Sequence, residues 1–331
     1  MTENMNLTET EQIGGARCKT AGLFPGCRDC LLALAESAAE MTAAAPDLRR
    51  TAVEEGRTII EASLRRDVTS PELANEVMRA MRRVTGVDDP YLEYKLREMD
   101  RAKQEAAGFS DAEDLDLKTC LALAALGNSL DFFRPAEAAL SGAAEKIAGD
   151  FAFQHDDSEK LAGFLIRRPG LILYLTDNAG EIFFDLPLYR RLRRHAARVV
   201  LVVKGGPALN DLTRADLERA HLVGQFDQIA DTGADGAGVD WNRVSPEFLE
   251  LLGKADLVIS KGMANFETLY AHDLEAAVFF LFKVKCTPIR DFLKAPAESF
   301  QAIWKEGSGR ADGQHAQESI DRNGVKRTSR M

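Results

Sequence analysis

The spacing of hydrophobic residues changes about halfway along the chain. From about Cys27 to about Phe153, apolar residues recur every three or four positions, which is the period of an amphipathic helix. In the third of these segments we expect Ser70 to be the N-cap, Pro71 the first helical residue and Gly86 the stop. The pattern predicts helices within CRDCLLALAESAAEM, AVEEGRTIIEASL, SPELANEVMRAMRRV, DPYLEYKLREMDRA and LKTCLALAALGNSLDFF.

The second half alternates short apolar runs with helical patterns. The runs are LILYL from Leu171, VVLVV from Val199, DLVIS from Asp256 and AVFFLFKV from Ala277. Because strands that are apolar throughout are buried on both faces, and helices separate them here, the pattern predicts a parallel sheet. We therefore predict an α/β fold, a parallel-sheet three-layer α/β domain preceded by an N-terminal all-helical domain.

The domain boundaries are predicted from the same patterns together with composition. We place a mobile N-terminus at residues 1–22, the helical domain at 23–155, the α/β domain at 156–298 and a largely disordered C-terminal extension at 299–331. Both ends are polar and poor in apolar residues, so they have little surface to bury.

Charge and composition exclude several classes of protein. The net charge of −10 over 331 residues disfavours nucleic acid and anionic membranes as partners. No apolar stretch approaches the roughly 20 residues of a membrane helix, and the first residues show no signal-peptide pattern. Five cysteines, an odd number, do not suggest a disulfide framework. We expect a cytoplasmic protein that binds neither nucleic acid nor membranes.

Polar clusters follow the predicted strands. Ligands of an open parallel sheet bind outside the carboxyl ends of its strands. A carboxylate beside a carboxamide offers oxygen ligands suited to Mg²⁺ or Mn²⁺, and a lysine with glycine at a helix start suits a phosphate. These residues therefore predict a divalent metal beside a phosphate pocket. The clusters are residues 177–181 (DNAGE), residues 204–207 (KGGP) with Asn210 and Asp211, residues 231–240 (DTGADGAGVD) and residues 261–267 (KGMANFE).

Each cluster also has a simpler interpretation. Asp177 or Asn178 could cap the helix that follows, and Asn210 and Asp211 could cap a helix that begins near Leu212 or Thr213. Lys261 and Gly262 alone would be an ordinary strand-to-helix turn. Established nucleotide and hydrolase motifs are absent, since the chain has no G-x-G-x-x-G after its first strand, no G-x-x-x-x-G-K-[ST] and no G-x-S-x-G. The position of the clusters at successive strand ends favours a site.

Seven motifs in order carry a resemblance to a known family. They are CRDC at 27–30, GNSLDF at 127–132, TDNAGEIFFD at 176–185, KGGPALND at 204–211, DTGADGAGVD at 231–240, SKGMANFE at 260–267 and FKVKC at 282–286. Over roughly residues 24–294 the chain resembles the metal-dependent damage-control phosphatases, formerly a domain of unknown function. The early CxxC is similar to the archaeal and bacterial branch rather than to the eukaryotic protein once described as an acidic-residue methyltransferase.

The resemblance implies one divalent metal ion (Mg, Mn, Co or Ni), no organic cofactor and a helical domain packed on the α/β domain. By position, Asp177, Asn178 and Asp211 would bind the metal, with Asp177 and Asp211 catalytic. GNSLDF has the alternative interpretation of a helix end. The phosphate- and substrate-binding residues implied are Lys261, Gly262, Asn265, Lys285 on the last strand, Asn128, Asp131 and Glu181.

The leading hypothesis is a metal-dependent phosphatase that hydrolyses phosphomonoesters of small metabolites, such as sugar phosphates or damaged phosphometabolites. We expect a small phosphorylated metabolite as its partner, and a monomer or small homo-oligomer. Water or an aspartate is the nucleophile. One alternative is a non-catalytic phosphosugar or nucleotide sensor. An S-adenosylmethionine-dependent methyltransferase is weaker, because the first strand is followed only by Gly180 where a glycine-rich turn is expected.

Two further features stay open. Cys27 and Cys30 could be a redox pair, half of a second metal site, or two cysteines packed in a helical core. The run of Arg190, Arg191, Arg193 and Arg194 is interpreted as a solvated helix face.

Overall fold

A computed structural model describes residues 26–64, 66–109, 114–129 and 151–309. The predicted mobile N-terminus, Asp131 and the C-terminal residues from 310 onward lie outside these ranges.

The helical N-terminal region is confirmed, with one helix start displaced. Helix α3 is capped by Thr69 rather than Ser70. Glu72 explains the choice: its backbone N–H donates to Thr69 Oγ1 at 3.3 Å, and its carboxylate accepts the Thr69 N–H at 2.7 Å. Ser70 has Leu73 three residues on, which cannot return such a bond. The helices are α1 (Cys27–Met41), α2 (Pro46–Ser63), α3 (Ser70–Thr85), α4 (Leu92–Ala106) and α5 (Leu117–Gly127).

The second half forms one mostly parallel sheet, as predicted. Its order within the described residues is β1-β7-β6-β5-β2-β3-β4, and β6 pairs with β7 antiparallel while the other neighbours are parallel. The strands are β1 (Phe153–Asp156), β2 (Leu171–Leu175), β3 (Arg198–Val203), β4 (Gln228–Asp231), β5 (Leu257–Lys261), β6 (Ala277–Lys283) and β7 (Phe300–Lys305). The helices between them are α6 (Ser158–Ile166), α7 (Ile182–His195), α8 (Arg214–Arg219), α9 (Pro246–Gly253), α10 (Met263–Leu269) and α11 (Thr287–Leu293).

The sheet extends past both predicted limits of the α/β domain. Strand β1 begins at Phe153, and β7 lies inside the stretch predicted as a disordered extension. Because β7 pairs with both β6 and β1, its four central residues are buried. Gln301 interrupts the apolar run there, yet it is buried and its side-chain oxygen lies 2.7 Å from a ring nitrogen of His155. The domain boundaries themselves stay predictions.

Alternate side chains of β2 enter two separate cores. Leu171, Leu173 and Leu175 pack with α9, α10 and α11 on one face of the sheet. Ile172 and Tyr174 pack on the other face with α7 and with α5 of the helical region. This burial on both faces produces the three layers. No helix in the described ranges is long and apolar enough to cross a membrane.

Candidate active site

The loops that follow β2 and β3 meet at the carboxyl edge of the sheet. Asn178 and Asp211 form an isolated antiparallel bridge. The Leu212 N–H donates to the Asp177 carbonyl at 2.8 Å, and the Ala179 N–H donates to the Asn210 carbonyl at the same distance. The structure thus brings together the three residues that the family resemblance implies as metal ligands.

The helix-cap interpretation of these residues is wrong. Asn178 precedes a short 3₁₀ turn, Ala179–Glu181, but its side chain makes no capping bond to it. It donates instead to Glu181 Oε1 at 2.6 Å and to Asp177 Oδ2 at 3.3 Å. Helix α8 is capped by Thr213, so Asn210 and Asp211 are not its caps.

Asn128 connects the helical region to this site. It follows α5, and its amide nitrogen donates to Asp177 Oδ2 at 2.8 Å and to Glu181 Oε1 at 2.6 Å. Its amide oxygen accepts the Lys283 N–H at 2.9 Å. The helix-end interpretation is correct for its backbone, which donates to Ala125, while its side chain lies in the site.

Lys261 is bound between two carboxylates. Its ammonium donates to Glu181 Oε2 and to Asp185 Oδ1 at 2.7 Å each, and no more than 1% of any of the three side chains is exposed. Burial alone would lower the pKa of Lys261, but the two acids raise it. Burial raises the pKa of Asp185 to about 6 against the effect of Lys261. The ammonium therefore stays charged, and its role toward a phosphate stays a prediction.

Lys204 and Asn265 join three strand ends. The Lys204 ammonium donates to the Gly238 carbonyl at 2.8 Å and to Asn265 Oδ1 at 3.2 Å, and lies 3.4 Å from Asp211 Oδ2. The Asn265 amide donates to the Lys261 carbonyl at 2.7 Å and to the Thr176 carbonyl at 3.0 Å. Lys204 belongs to one of the predicted strand-end clusters, but the sequence assigns it no role of its own.

The backbone of Gly262 lies directly against the carboxylate of Asp177. Its φ is +80°, and a Cβ on it would lie 2.0 Å from Asp177 Oδ2, so only glycine leaves room for that carboxylate. Its N–H donates to Leu281 at 3.2 Å. Gly262 therefore keeps space open beside Asp177, and its role toward a phosphate stays a prediction.

Lys285 lies two residues past β6 rather than on the last strand, which is β7. Its charge lowers the pKa of Asp177, which indicates that Lys285 lies near the site.

The acids of the site are crowded and buried. The pKa of Asp177 is raised well above its ordinary value, first by burial and then by Glu181 and Asp211. Burial also raises the pKa of Asp211, and Lys204 opposes it. Within the described residues, the buried Asp211 Oδ2 accepts no hydrogen bond.

The residues present fit a divalent cation. Two carboxylates and an amide are hard oxygen donors, and a cation there would relieve the repulsion between the acids. In the part of the chain that the structure covers, no three Cys, His, Asp or Glu side chains are arranged to hold a metal. The amide of Asn178 would therefore have to complete the set with Asp177 and Asp211.

Glu98 of α4 joins the loops that follow β2 and β3, and sequence reasoning missed it. Its carboxylate accepts the Gly180 N–H at 2.8 Å and the Asn210 amide at 3.1 Å. Burial raises its pKa to about 7. In the sequence it is one acid among many in a charged helix, so only long-range packing reveals it.

Helix α3 holds the loop at residues 231–240. The Asn75 side chain accepts the Ala237 N–H at 2.8 Å and donates to the Ala237 carbonyl at 3.1 Å. Arg79 forms ion pairs with Asp235 at 2.9 Å and with Asp240. Since Gly238 of this loop accepts from Lys204, the helical region helps to shape the site.

Cys27 and Cys30 lie in the first turn of α1. Cys27 is buried and Cys30 is exposed. The pKa of the Cys286 thiol is raised to about 12, chiefly by burial and to a smaller extent by Glu267, Cys27 and Cys30, which indicates that these groups lie near it. The redox or metal role of the pair stays a prediction.

Comparisons with known proteins identify the family of this chain. Residues 23–299 match the family described as the damage-control phosphatase ARMT1-like domain. The damage-control phosphatase PH1575 of Pyrococcus horikoshii is 32% identical over 274 residues, 82% of this chain and 93% of that protein. A damage-control phosphatase of Archaeoglobus fulgidus is 29% identical over 277 residues, 81% of this chain and 93% of that protein.

The fold is shared as well. The crystal structure of PH1575, titled a DUF89 family protein, matches with a TM-score of 0.77 at 30% identity, over 85% of this chain and 98% of that one. The chain belongs to the damage-control phosphatase family.

Proposed function

We propose that this phosphatase depends on one divalent metal ion and hydrolyses phosphomonoesters of small metabolites, such as sugar phosphates or damaged phosphometabolites. The observation that carries the proposal is the meeting of Asp177, Asn178 and Asp211 at the carboxyl edge of the sheet. Mg²⁺, Mn²⁺, Co²⁺ and Ni²⁺ are the candidate ions. The relatives named as damage-control phosphatases support the reaction class.

Glu181 sets the orientation of the amides around the metal position. Its Oε1 accepts from both Asn128 and Asn178, and its Oε2 accepts from Lys261. Because the Asn178 nitrogen is directed to Glu181, its oxygen is the atom that would bind the metal. A metal held there would polarise a phosphoryl oxygen and lower the pKa of a bound water.

The lysines of the site supply fixed positive charge. Lys204 and Lys285 act on Asp177 and lower its pKa, so they lie where they would stabilise negative charge on phosphoryl oxygens. Lys204 is held by three partners, which limits its reorganisation during the reaction. Two nucleophiles fit this geometry, a water molecule or the Asp177 carboxylate.

The decisive experiment measures phosphate release from sugar phosphates and p-nitrophenyl phosphate by metal-stripped protein, with each candidate ion added back. We expect release only with metal, and a loss of about 1000-fold in kcat/KM for Asp177→Asn, several kcal/mol of transition-state stabilisation. Asp47→Asn, an exposed acid on α2, is the matched control and should keep full activity.

Two results would contradict the proposal. Release that continues in metal-stripped protein would remove the metal requirement. No release of phosphate by protein shown to bind a metal would instead favour the phosphosugar sensor.

A further inference from the structure

A cavity of about 710 Å³ lies at the opposite edge of the sheet from the metal site. It forms where α7 ends and β3 begins, beside the residue that precedes β4. Parallel strands begin at this edge, whereas the proposed active site lies where they end. Helix α7 runs between the two, and its 14 residues span about 21 Å. The cavity is lined by Arg190, Arg193, Arg194, Ala196, Ala197, Arg198, Val199 and Asp227.

The cavity is strongly positive although the chain as a whole is acidic. Four arginines and one aspartate line it, a formal charge of +4 − 1 = +3. Arg193 pairs with Asp227 at 2.6 Å, and Arg190 donates to the neutral Gln225 at 2.8 Å. Arg194 lies 3.9 Å from Asp114. Among the described residues, no ion pair joins Arg198 to an acid. Within the lining itself, four guanidinium groups surround a single carboxylate, that of Asp227.

Most of the arginine run, interpreted from the sequence as a solvated helix face, also lines this concave surface. Arg198 belongs to β3, not to α7, yet it lines the same concave surface as the helix arginines. The positive field extends beyond the lining. The pKa of the neighbouring His195 is lowered, first by burial and then by Arg191, Arg168 and Arg194.

The lining indicates the chemistry of the ligand. Guanidinium groups bind phosphate oxygens with paired hydrogen bonds, and several of them suit a chain of phosphates. The volume lies in the range of small-molecule sites. The remaining walls are alanine and valine, with no aromatic ring among the lining residues on which a base could stack.

We propose that this cavity binds an oligophosphate group, either inorganic or the phosphate chain of a nucleotide, at a site separate from the metal centre. The proposal does not depend on the substrate of the phosphatase, because its residues lie at the other edge of the sheet.

Isothermal titration calorimetry of the full-length protein with tripolyphosphate, at about 150 mM salt, tests the proposal by measuring the dissociation constant. The variant pair Arg193→Gln with Arg198→Gln should weaken binding by about 10- to 100-fold, since charge-assisted hydrogen bonds are lost. Arg57→Gln with Arg83→Gln is the matched control, because these exposed arginines also pair with single acids, Glu36 and Glu55. The control pair should bind within about twofold of the unchanged protein.

A second variant works in the opposite direction. Asp227→Asn removes the one carboxylate of the lining and should tighten binding by about three- to tenfold at this salt concentration. A gain of affinity cannot come from a damaged fold, so it keeps the test decisive if the double variant is unstable.

The outcomes separate the sources of the ligand. Equal affinity for tripolyphosphate and ATP would support the site and show that the phosphate chain suffices, and tighter binding of ATP would support it with the nucleotide as the source. Loss of binding only in Asp177→Asn, equal loss in both arginine pairs, or binding of a short RNA without either oligophosphate would overturn the proposal.

Discussion

The two edges of the sheet hold charged groups at similar distances but in opposite surroundings. At the carboxyl edge, Lys261 meets Glu181 and Asp185 at 2.7 Å with at most 1% of each side chain exposed. At the amino edge, Arg193 meets Asp227 at 2.6 Å, and 41% and 55% of these side chains are exposed. Distance alone would rank the pairs as equals. Burial decides their energies, because a buried charge left without a partner cannot recover its hydration.

Lys261→Met is the strongest test of this difference. It leaves two buried carboxylates without their shared cation, so we expect the free energy of unfolding to fall by about 3–5 kcal/mol. Lys254→Met, just after α9, removes a lysine whose side chain is 61% exposed and which also pairs with an acid, Glu250. It should change stability by less than about 1 kcal/mol. Urea unfolding measures both, and equal losses would show that burial does not separate the two edges.

Gly262→Ala tests how tightly the carboxyl edge is packed. Its Cβ would lie 2.0 Å from Asp177 Oδ2, so the carboxylate must move and phosphatase activity should fall at least tenfold. Gly86→Ala has a similar positive φ of +70° with open space around it. It should show only the backbone cost, about 1–2 kcal/mol, with normal activity. Activity kept in Gly262→Ala would mean that the position of Asp177 is not critical.

Glu98→Gln tests the buried acid by pH. The pKa of Glu98 is about 7 in the fold against an ordinary value of 4.5, so the folded state binds more protons between these values. The stability that the fold gains from protonated Glu98 is therefore fully present below pH 4.5 and is lost as the pH rises through 7. Glu181 and Lys285 face this carboxylate and act in opposite directions on it.

The Gln variant cannot ionise, so its stability relative to the unchanged protein should rise by about 2 kcal/mol between pH 5 and pH 8. Thermal unfolding over this pH range measures the difference. A difference that does not change with pH would show that Glu98 is ionised in the fold as easily as in the unfolded chain.

Arg193→Gln at the amino edge should have the smallest effect on stability. Both partners of its ion pair are exposed, so we expect a change within about 1 kcal/mol, which 0.5 M salt reduces further. The urea midpoint at two salt concentrations measures it. A loss as large as that of Lys261→Met would make the amino edge a structural network rather than a ligand site.

The order of elements could be predicted from the sequence because local patterns determine it. LILYL and the LVI of DLVIS are apolar runs, and both lie in central strands of the sheet. The start of α3 was misplaced by one residue, since Thr69 and Ser70 can both cap and only the reciprocal bond of Glu72 separates them. Strand β7 was overlooked because a buried glutamine breaks its apolar run.

The site could be predicted only in part. The strand-end position of Asp177 and Asp211 follows from the topology of a parallel sheet. Asp185 is the only charged residue in the apolar run IFFDLPLY, a pattern that indicates a buried acid. Glu98 shows no such pattern, because its role depends on contacts with residues far along the chain. Whether these residues act on phosphate stays a prediction.

The separation of those contacts along the chain has a consequence for synthesis. Glu98 reaches Gly180 and Asn210 across 82 and 112 residues, and Asn128 reaches Lys283 across 155. Such long-range contacts close loops slowly and form late in folding. A nascent chain therefore cannot complete these site contacts until Lys283 has left the ribosome. Until then, the acids that are buried in the folded protein remain exposed to the quality-control machinery.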